Sequence, residues 1–144
     1  MKILESVYRN IIDNTPPSPP ETGGILGIKD GIICISYKDH GVSTDFDGQY
    51  HPNVILLNNV IDAWSKQEIE FCGIYHSYYP GDKELSIADE EYIRAILIAC
   101  QDSANVLYFP LVFPGKEMIV YKVVSDNSEI IISGEDIIII NERK

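Results

Sequence analysis

The chain has 144 residues, of which 45% are hydrophobic and 23% are charged, as is ordinary for a soluble globular protein. A chain of this length can bury its own core, so residues 1–144 are predicted to form a single domain. The formal net charge of −11 argues against non-specific binding to nucleic acid and against docking to anionic lipid. The acidic surface either attracts a basic partner protein or simply keeps the protein soluble.

The cysteines and the N-terminal residues indicate a cytoplasmic protein. Cys34, Cys72 and Cys100 are odd in number, lie in apolar surroundings and show no CxxC spacing, so we expect buried free thiols in a reducing compartment. Glu5 interrupts any apolar core of a signal peptide. No apolar run approaches the roughly 18 residues that cross a membrane, so no membrane partner is expected.

The hydrophobic pattern predicts helices and strands in a mixed order. In chain order these are a helix over 2–13, strands over 23–28 and 31–37, a helix from 52 to about 67, a strand over 69–75, a helix over 87–100, and strands over 106–113, 118–124, 128–132 and 137–140. Turn residues separate several of them, such as Asp30-Gly31 and Pro114-Gly115. The segment 38–51 is polar and is predicted to be an exposed loop. This order predicts an α/β fold, with one mixed, curved sheet and helices packed against it.

Polar residues around the strand 69–75 are the candidates for chemistry. His76 follows that strand, and Ser86 and Asp89 open the helix over 87–100. Glu21 precedes a glycine-bearing strand, where an acidic residue is unexpected. Taken singly, each has a structural explanation: a lone histidine is often a core residue, and Ser-x-x-Asp fits a variant of the capping box at a helix start.

Taken together, these residues resemble the signature of the JAMM/MPN (JAB-domain) metalloproteases. That signature is a glutamate before the first strands, followed by H-[ST]-H-x7-S-x2-D. Here Glu21 is followed by the run His76-Ser77-Tyr78, seven further residues, Ser86, two residues and Asp89. The resemblance is to the bacterial branch of the family and extends over about residues 20–125.

The resemblance implies a fold, an activity and a role for each residue. The fold would be of the cytidine-deaminase-like MPN architecture. His76 and Asp89 would be zinc ligands, Glu21 the general base and Ser86 the residue that stabilises the oxyanion. The reaction would be hydrolysis of peptide or isopeptide bonds in ubiquitin-like protein conjugates, and a homodimer is compatible with it.

Tyr78 stands where the family has its second histidine ligand. A phenol has a pKa near 10 and must lose its proton to bind a metal well. Three interpretations stay open. The protein is a metallopeptidase in which Tyr78 itself, or a substitute such as His51, His40 or Asp82, completes the site. It is a pseudoenzyme that keeps the MPN fold as a protein-interaction module. Or Tyr78 is an introduced substitution for a natural histidine.

Overall fold

All strands in the described part of the chain belong to one mixed β-sheet. The computed structural model describes residues 1–17, 22–39, 53–78, 106–126 and 129–142. Its elements are β1 (Lys2–Leu4), α1 (Glu5–Asn14), β2 (Gly23–Lys29), β3 (Ile32–Asp39), α2 (Val54–Ser65), β4 (Glu70–Ser77), β5 (Val106–Phe113), β6 (Glu117–Asp126), β7 (Glu129–Glu135) and β8 (Ile138–Ile140). The fold is α/β, as the sequence predicts. No helix in these ranges is both long enough and apolar enough to cross a membrane.

The sheet curls so that its two edges approach each other. The strand order is β7-β6-β5-β4-β2-β3-β1-β8. β4 is parallel to β5, and β1 is parallel to both β3 and β8, whereas the other pairs are antiparallel. β7 and β8 form opposite edges, yet β7 ends at Glu135 and β8 begins at Ile138. Because such a short connection spans at most about 11 Å, the sheet has to bend round on itself.

Two hydrophobic clusters cover the two faces of the sheet. Successive residues of a strand point to opposite faces, and Ile25 and Leu26 of β2 belong to different clusters. The cluster that contains Leu26 also contains the buried side chains of α1, which are Val7, Ile11 and Ile12. The cluster that contains Ile25 also contains Leu57 and Trp64 of α2. The helices therefore pack on opposite faces and hold the central strands β2 and β4 between them.

The start of the predicted helix over 2–13 is a strand instead. Lys2–Leu4 pairs in parallel with β8 along its length and with β3 at Ile33, and Ile3 is fully buried. The helical spacing of Ile3, Leu4 and Val7 indicated a helix, but pairing on both sides with strands distant in sequence outweighs that local preference. The rest of the prediction is confirmed, since α1 covers Glu5–Asn14.

The hairpin predicted at Asp30-Gly31 is confirmed. Both residues have positive φ, 54° and 79°, as a type I′ turn between antiparallel strands requires. The strand predicted over 128–132 extends further than expected, because Ser133 and Gly134 also lie inside β7 and pair with β6. The helix predicted over 87–100 and residues 40–51 of the predicted loop lie outside the described residues, whereas residues 38 and 39 of that loop belong to β3.

Candidate functional site

His76 is the second-last residue of β4 and does not lie after the strand. β4 extends to Ser77, two residues beyond the predicted end. His76 pairs with Gly23 of β2 on one side and with Leu111 of β5 on the other. A residue held between two strands has a fixed backbone, which is the kind of support that a precise site needs.

The ring of His76 is buried and is oriented by a backbone carbonyl. The side chain is 6% exposed, and its Nδ1 lies 3.0 Å from the carbonyl oxygen of Ser77. Since a carbonyl oxygen can only accept a hydrogen bond, this contact requires the proton on Nδ1. In the neutral ring the lone pair is then on Nε2, and the nitrogen with the lone pair is the one that accepts a proton or binds a metal. Metal-binding histidines usually have this second contact.

Ser77 joins the end of β4 to the residue that follows Glu21. Its backbone N–H donates to the carbonyl oxygen of Thr22 at 2.7 Å, and its Oγ accepts from the backbone N–H of Thr22 at 2.9 Å. Ser77 is fully buried and Thr22 is 8% exposed. In the sequence Ser77 is only a motif residue, because nothing there shows which backbone group its hydroxyl contacts.

Tyr78 belongs to a small aromatic cluster. Its ring centroid is 6.3 Å from that of His76, and the two planes are tilted by 59°. On its other side it meets Phe113 edge-on, with centroids 5.8 Å apart and planes at 72°. The backbone N–H of Tyr78 donates to the carbonyl oxygen of Val112 at 2.9 Å. Tyr78 is thus packed against β5 as well as lying beside His76, and no pattern in the sequence predicts its contact with Phe113.

Tyr75 lies on the opposite face of β4 from His76. A Cβ atom on Gly24 would lie 2.6 Å from the Tyr75 hydroxyl oxygen and 2.2 Å from the Tyr37 carbonyl oxygen, so this close approach requires glycine at position 24. Burial raises the pKa of Tyr75, and the nearby negative charge of Asp39 raises it further. The phenol is therefore neutral at physiological pH.

A pocket of about 250 Å³ opens beside Tyr75 on the α1 face of the sheet. It is lined by Asn10, Ile11, Asn14, Thr15, Thr22, Lys38 and Tyr75. Two of its polar side chains donate hydrogen bonds to backbone carbonyls at the C-terminal end of α1. Lys38 Nζ donates to the Asn14 carbonyl at 2.7 Å, and Thr15 Oγ1 donates to the Ile11 carbonyl at 2.6 Å. The Lys38 contact joins the end of α1 to β3, whereas the Thr15 contact lies within the end of the helix itself.

Asp39 connects the start of α2 to the end of β3. It is 4% exposed, and its Oδ2 accepts from the backbone N–H of Asn53 at 2.9 Å. Asn53 in turn caps α2, because its side chain accepts from the Leu56 N–H. Asp39 falls in the polar segment that the sequence predicts to be an exposed loop, so the pattern does not indicate this role.

The structure describes His76 and Tyr78 but not the other predicted site residues. Glu21, Ser86 and Asp89 lie outside the described residues, as do the substitute ligands His40, His51 and Asp82. Within the described ranges, no three histidine, cysteine, aspartate or glutamate residues are grouped closely enough to hold a metal. The predicted zinc centre thus stays a prediction, and its described part is His76 with its neighbours.

The cysteines that the structure describes offer no alternative site. Cys34 and Cys72 are free thiols, as predicted; Cys72 is buried, as expected, whereas Cys34 is only half-buried. Cys100 lies outside the described residues. Burial raises the pKa of the Cys72 thiol, and the neighbouring Cys34 and Glu70 raise it further. Because the thiolate is the reactive form, Cys72 is an inert core residue.

Comparison with known proteins shows the fold alone. No protein-family model matches the chain, and no curated protein matches it. Among solved structures, it is similar to the solution structure of a protein from Desulfitobacterium hafniense, with a TM-score of 0.65 and 12% identity over 98% of this chain and 93% of that one. It is also similar to the solution structure of a protein from Salinibacter ruber, with a TM-score of 0.55 and 17% identity over 96% of this chain and 90% of that one.

Proposed function

We propose that the protein is a JAMM/MPN-type zinc metallopeptidase that cleaves peptide or isopeptide bonds in ubiquitin-like protein conjugates. The observation that carries the proposal is the setting of His76. Its buried ring is fixed between two strands, its Nδ1 contacts a carbonyl oxygen, and its Nε2 is left as the atom with a lone pair. That is the setting of a histidine ligand, at the position where the sequence motif expects one.

The chemistry of His76 fits zinc, which binds neutral imidazole well. Tyr78 fits it less readily, because a phenol must first give up its proton. The remaining members of the proposed site are Asp89 as a ligand, Glu21 and Ser86, and the argument for them is the spacing of the motif.

Each residue would have a distinct task. Bound zinc would supply a Lewis acid that lowers the pKa of a water molecule and polarises the scissile carbonyl. Glu21 would take the proton of the attacking water and pass it to the leaving amine. Ser86 would donate a hydrogen bond to the carbonyl oxygen as that oxygen gains negative charge.

Metal analysis combined with a peptidase assay tests the proposal. The purified protein is expected to contain zinc and to cleave a ubiquitin-like protein that carries a C-terminal extension, and a chelator is expected to stop the cleavage. Glu21→Gln should abolish turnover and leave the zinc bound, because this residue is the base and not a ligand. Absence of both zinc and turnover, in the native chain and in Tyr78→His, would refute the enzyme proposal.

A second candidate function is a non-catalytic interaction module with the same fold. The observation that favours it is the edge-on packing of Tyr78 on Phe113, which uses the residue as a packing group. This function predicts partner binding that survives Glu21→Gln and Asp89→Asn. It also predicts that Tyr78→His gains zinc and activity that the native chain lacks. Tyr8→His, at a half-buried tyrosine of α1, controls for an added histidine.

A further inference from the structure

The pairing between β2 and β4 changes at its last step. Gly23 and His76 form the last regular pair, so Thr22 and Ser77 come next. In an antiparallel pair of the hydrogen-bonded kind, the two residues exchange two backbone bonds. Here one of them is present, from the Ser77 N–H to the Thr22 carbonyl at 2.7 Å. The Thr22 N–H donates to the Ser77 hydroxyl at 2.9 Å instead of to the Ser77 carbonyl.

This exchange of acceptors leaves the Ser77 carbonyl available to a different donor. That donor is Nδ1 of His76, at 3.0 Å. Ser77, His76 and Thr22 are all buried, so water does not readily replace a missing partner, and an unpaired polar group there is costly. The hydrogen bond from His76 to the Ser77 carbonyl therefore depends on the hydrogen bond from the Thr22 N–H to the Ser77 hydroxyl.

We propose that Ser77 is a positioning residue for His76. Its hydroxyl replaces its own carbonyl as the acceptor for Thr22, and the carbonyl thereby holds the proton on Nδ1 of His76. The consequence is that Nε2 carries the lone pair. The inference rests on the proposed function only for what Nε2 then binds, because the hydrogen bonds themselves need no metal.

A purely structural role for Ser77 makes a different prediction. If the hydroxyl only completes the pairing of two strands, its removal lowers stability and leaves the protonation of the His76 ring unchanged. Under our proposal, Ser77→Ala forces the Thr22 N–H back to the Ser77 carbonyl, where it competes with Nδ1. The proton of the neutral ring then moves in part to Nε2. The position of this proton separates the two roles.

The experiment is NMR of the full-length, metal-free protein with ¹⁵N-labelled histidine, which distinguishes a protonated ring nitrogen from one with a lone pair. The chain contains three histidines, and the signals of His76 are those lost in His76→Gln. In the native chain we expect the proton on Nδ1. In Ser77→Ala we expect the ratio of Nδ1–H to Nε2–H forms to fall roughly threefold to tenfold, as for the loss of one ordinary hydrogen bond.

Two further variants serve as controls. Ser77→Thr keeps the hydroxyl and should keep the proton on Nδ1. Thr15→Ala removes another buried hydroxyl, which bonds to the Ile11 carbonyl, and should leave His76 unchanged. If Ser77→Ala does not fold, Ser77→Cys offers a weaker acceptor and should shift the ratio in the same direction by less.

Two results would overturn the proposal. One is a native His76 with its proton on Nε2, and the other is a folded Ser77→Ala, or Ser77→Cys in its place, with the native ratio. Neither result depends on zinc or turnover. Absence of zinc and turnover from the purified native chain and from Tyr78→His, combined with the expected shift in Ser77→Ala, would refute the metallopeptidase and leave the role of Ser77 intact.

Discussion

Replacing Gly73 with alanine should destabilise the strand that carries His76. A Cβ atom at this position would lie 2.2 Å from the carbonyl oxygen of Tyr108 and 3.0 Å from its carbonyl carbon. Both atoms are backbone atoms of β5, and Gly73 pairs with Tyr108 in the parallel register of β4 with β5. No side-chain rotation can relieve the clash, so the two strands have to separate.

The expected loss lies at the upper end of the range for overpacking, about 3 kcal/mol. This is a large share of the roughly 5–15 kcal/mol that stabilises a typical domain. For a chain of this size it corresponds to a fall in melting temperature of about 6–12 °C. Thermal and urea denaturation, followed by circular dichroism, measure both quantities.

Gly134→Ala is the matched control. Gly134 also lies in a strand, β7, but a Cβ atom there would meet nothing within 4 Å. This variant should stay within about 0.5 kcal/mol of the native chain, as surface substitutions usually do. If Gly73→Ala is as stable as Gly134→Ala, the close approach of β4 and β5 at this point does not constrain the sequence, and the reasoning fails.

Two further predictions concern the capping of α2 and the buried side chains of Cys72 and Tyr75. Asn53→Ala removes the side-chain acceptor for the Leu56 N–H and should lower stability by about 0.5–2 kcal/mol. Asn53→Asp keeps an acceptor and should not lower stability. Equal melting curves for the two variants would contradict the capping role. Burial raises the pKa of Cys72 and of Tyr75 above their ordinary values of 9.0 and 10.0. The folded chain then keeps these protons when the unfolded chain loses them, so this contribution to stability is complete below about pH 9 and is lost as the pH rises further. The urea concentration at the unfolding midpoint should fall as the pH rises from 7 to 11, and it should fall less steeply in Cys72→Ala than in the native chain. The same dependence on pH in both proteins would show that the Cys72 thiol does not contribute.

Local signals in the sequence predicted most of the described elements. The positive φ angles of Asp30 and Gly31 follow from a turn that only a few residue types adopt easily. The strand predicted over 106–113 has the same bounds as β5, because an apolar run before a Pro-Gly turn leaves few alternatives. Such features depend on residues that are close together in the chain.

Pairing between distant residues was not predictable in the same way. Ile3 and Leu4 have helical spacing with Val7, yet Lys2–Leu4 is a strand because β3 and β8 lie on either side of it. The same limit applies to the site. The motif identified His76, but the contact of Tyr78 with Phe113 and the hydrogen bonds of Ser77 depend on β5 and β2 being its neighbours.

The place of β1 between β3 and β8 has a consequence for synthesis of the protein. Lys2 pairs with Ile138, so β1 finds its outer neighbour only after 136 further residues have been made. At roughly 5–20 residues per second, that delay is about 7–27 s. Until then β1 lacks its pairing partner on one side. We therefore expect the nascent chain to depend on chaperones until residues 138–140 are complete.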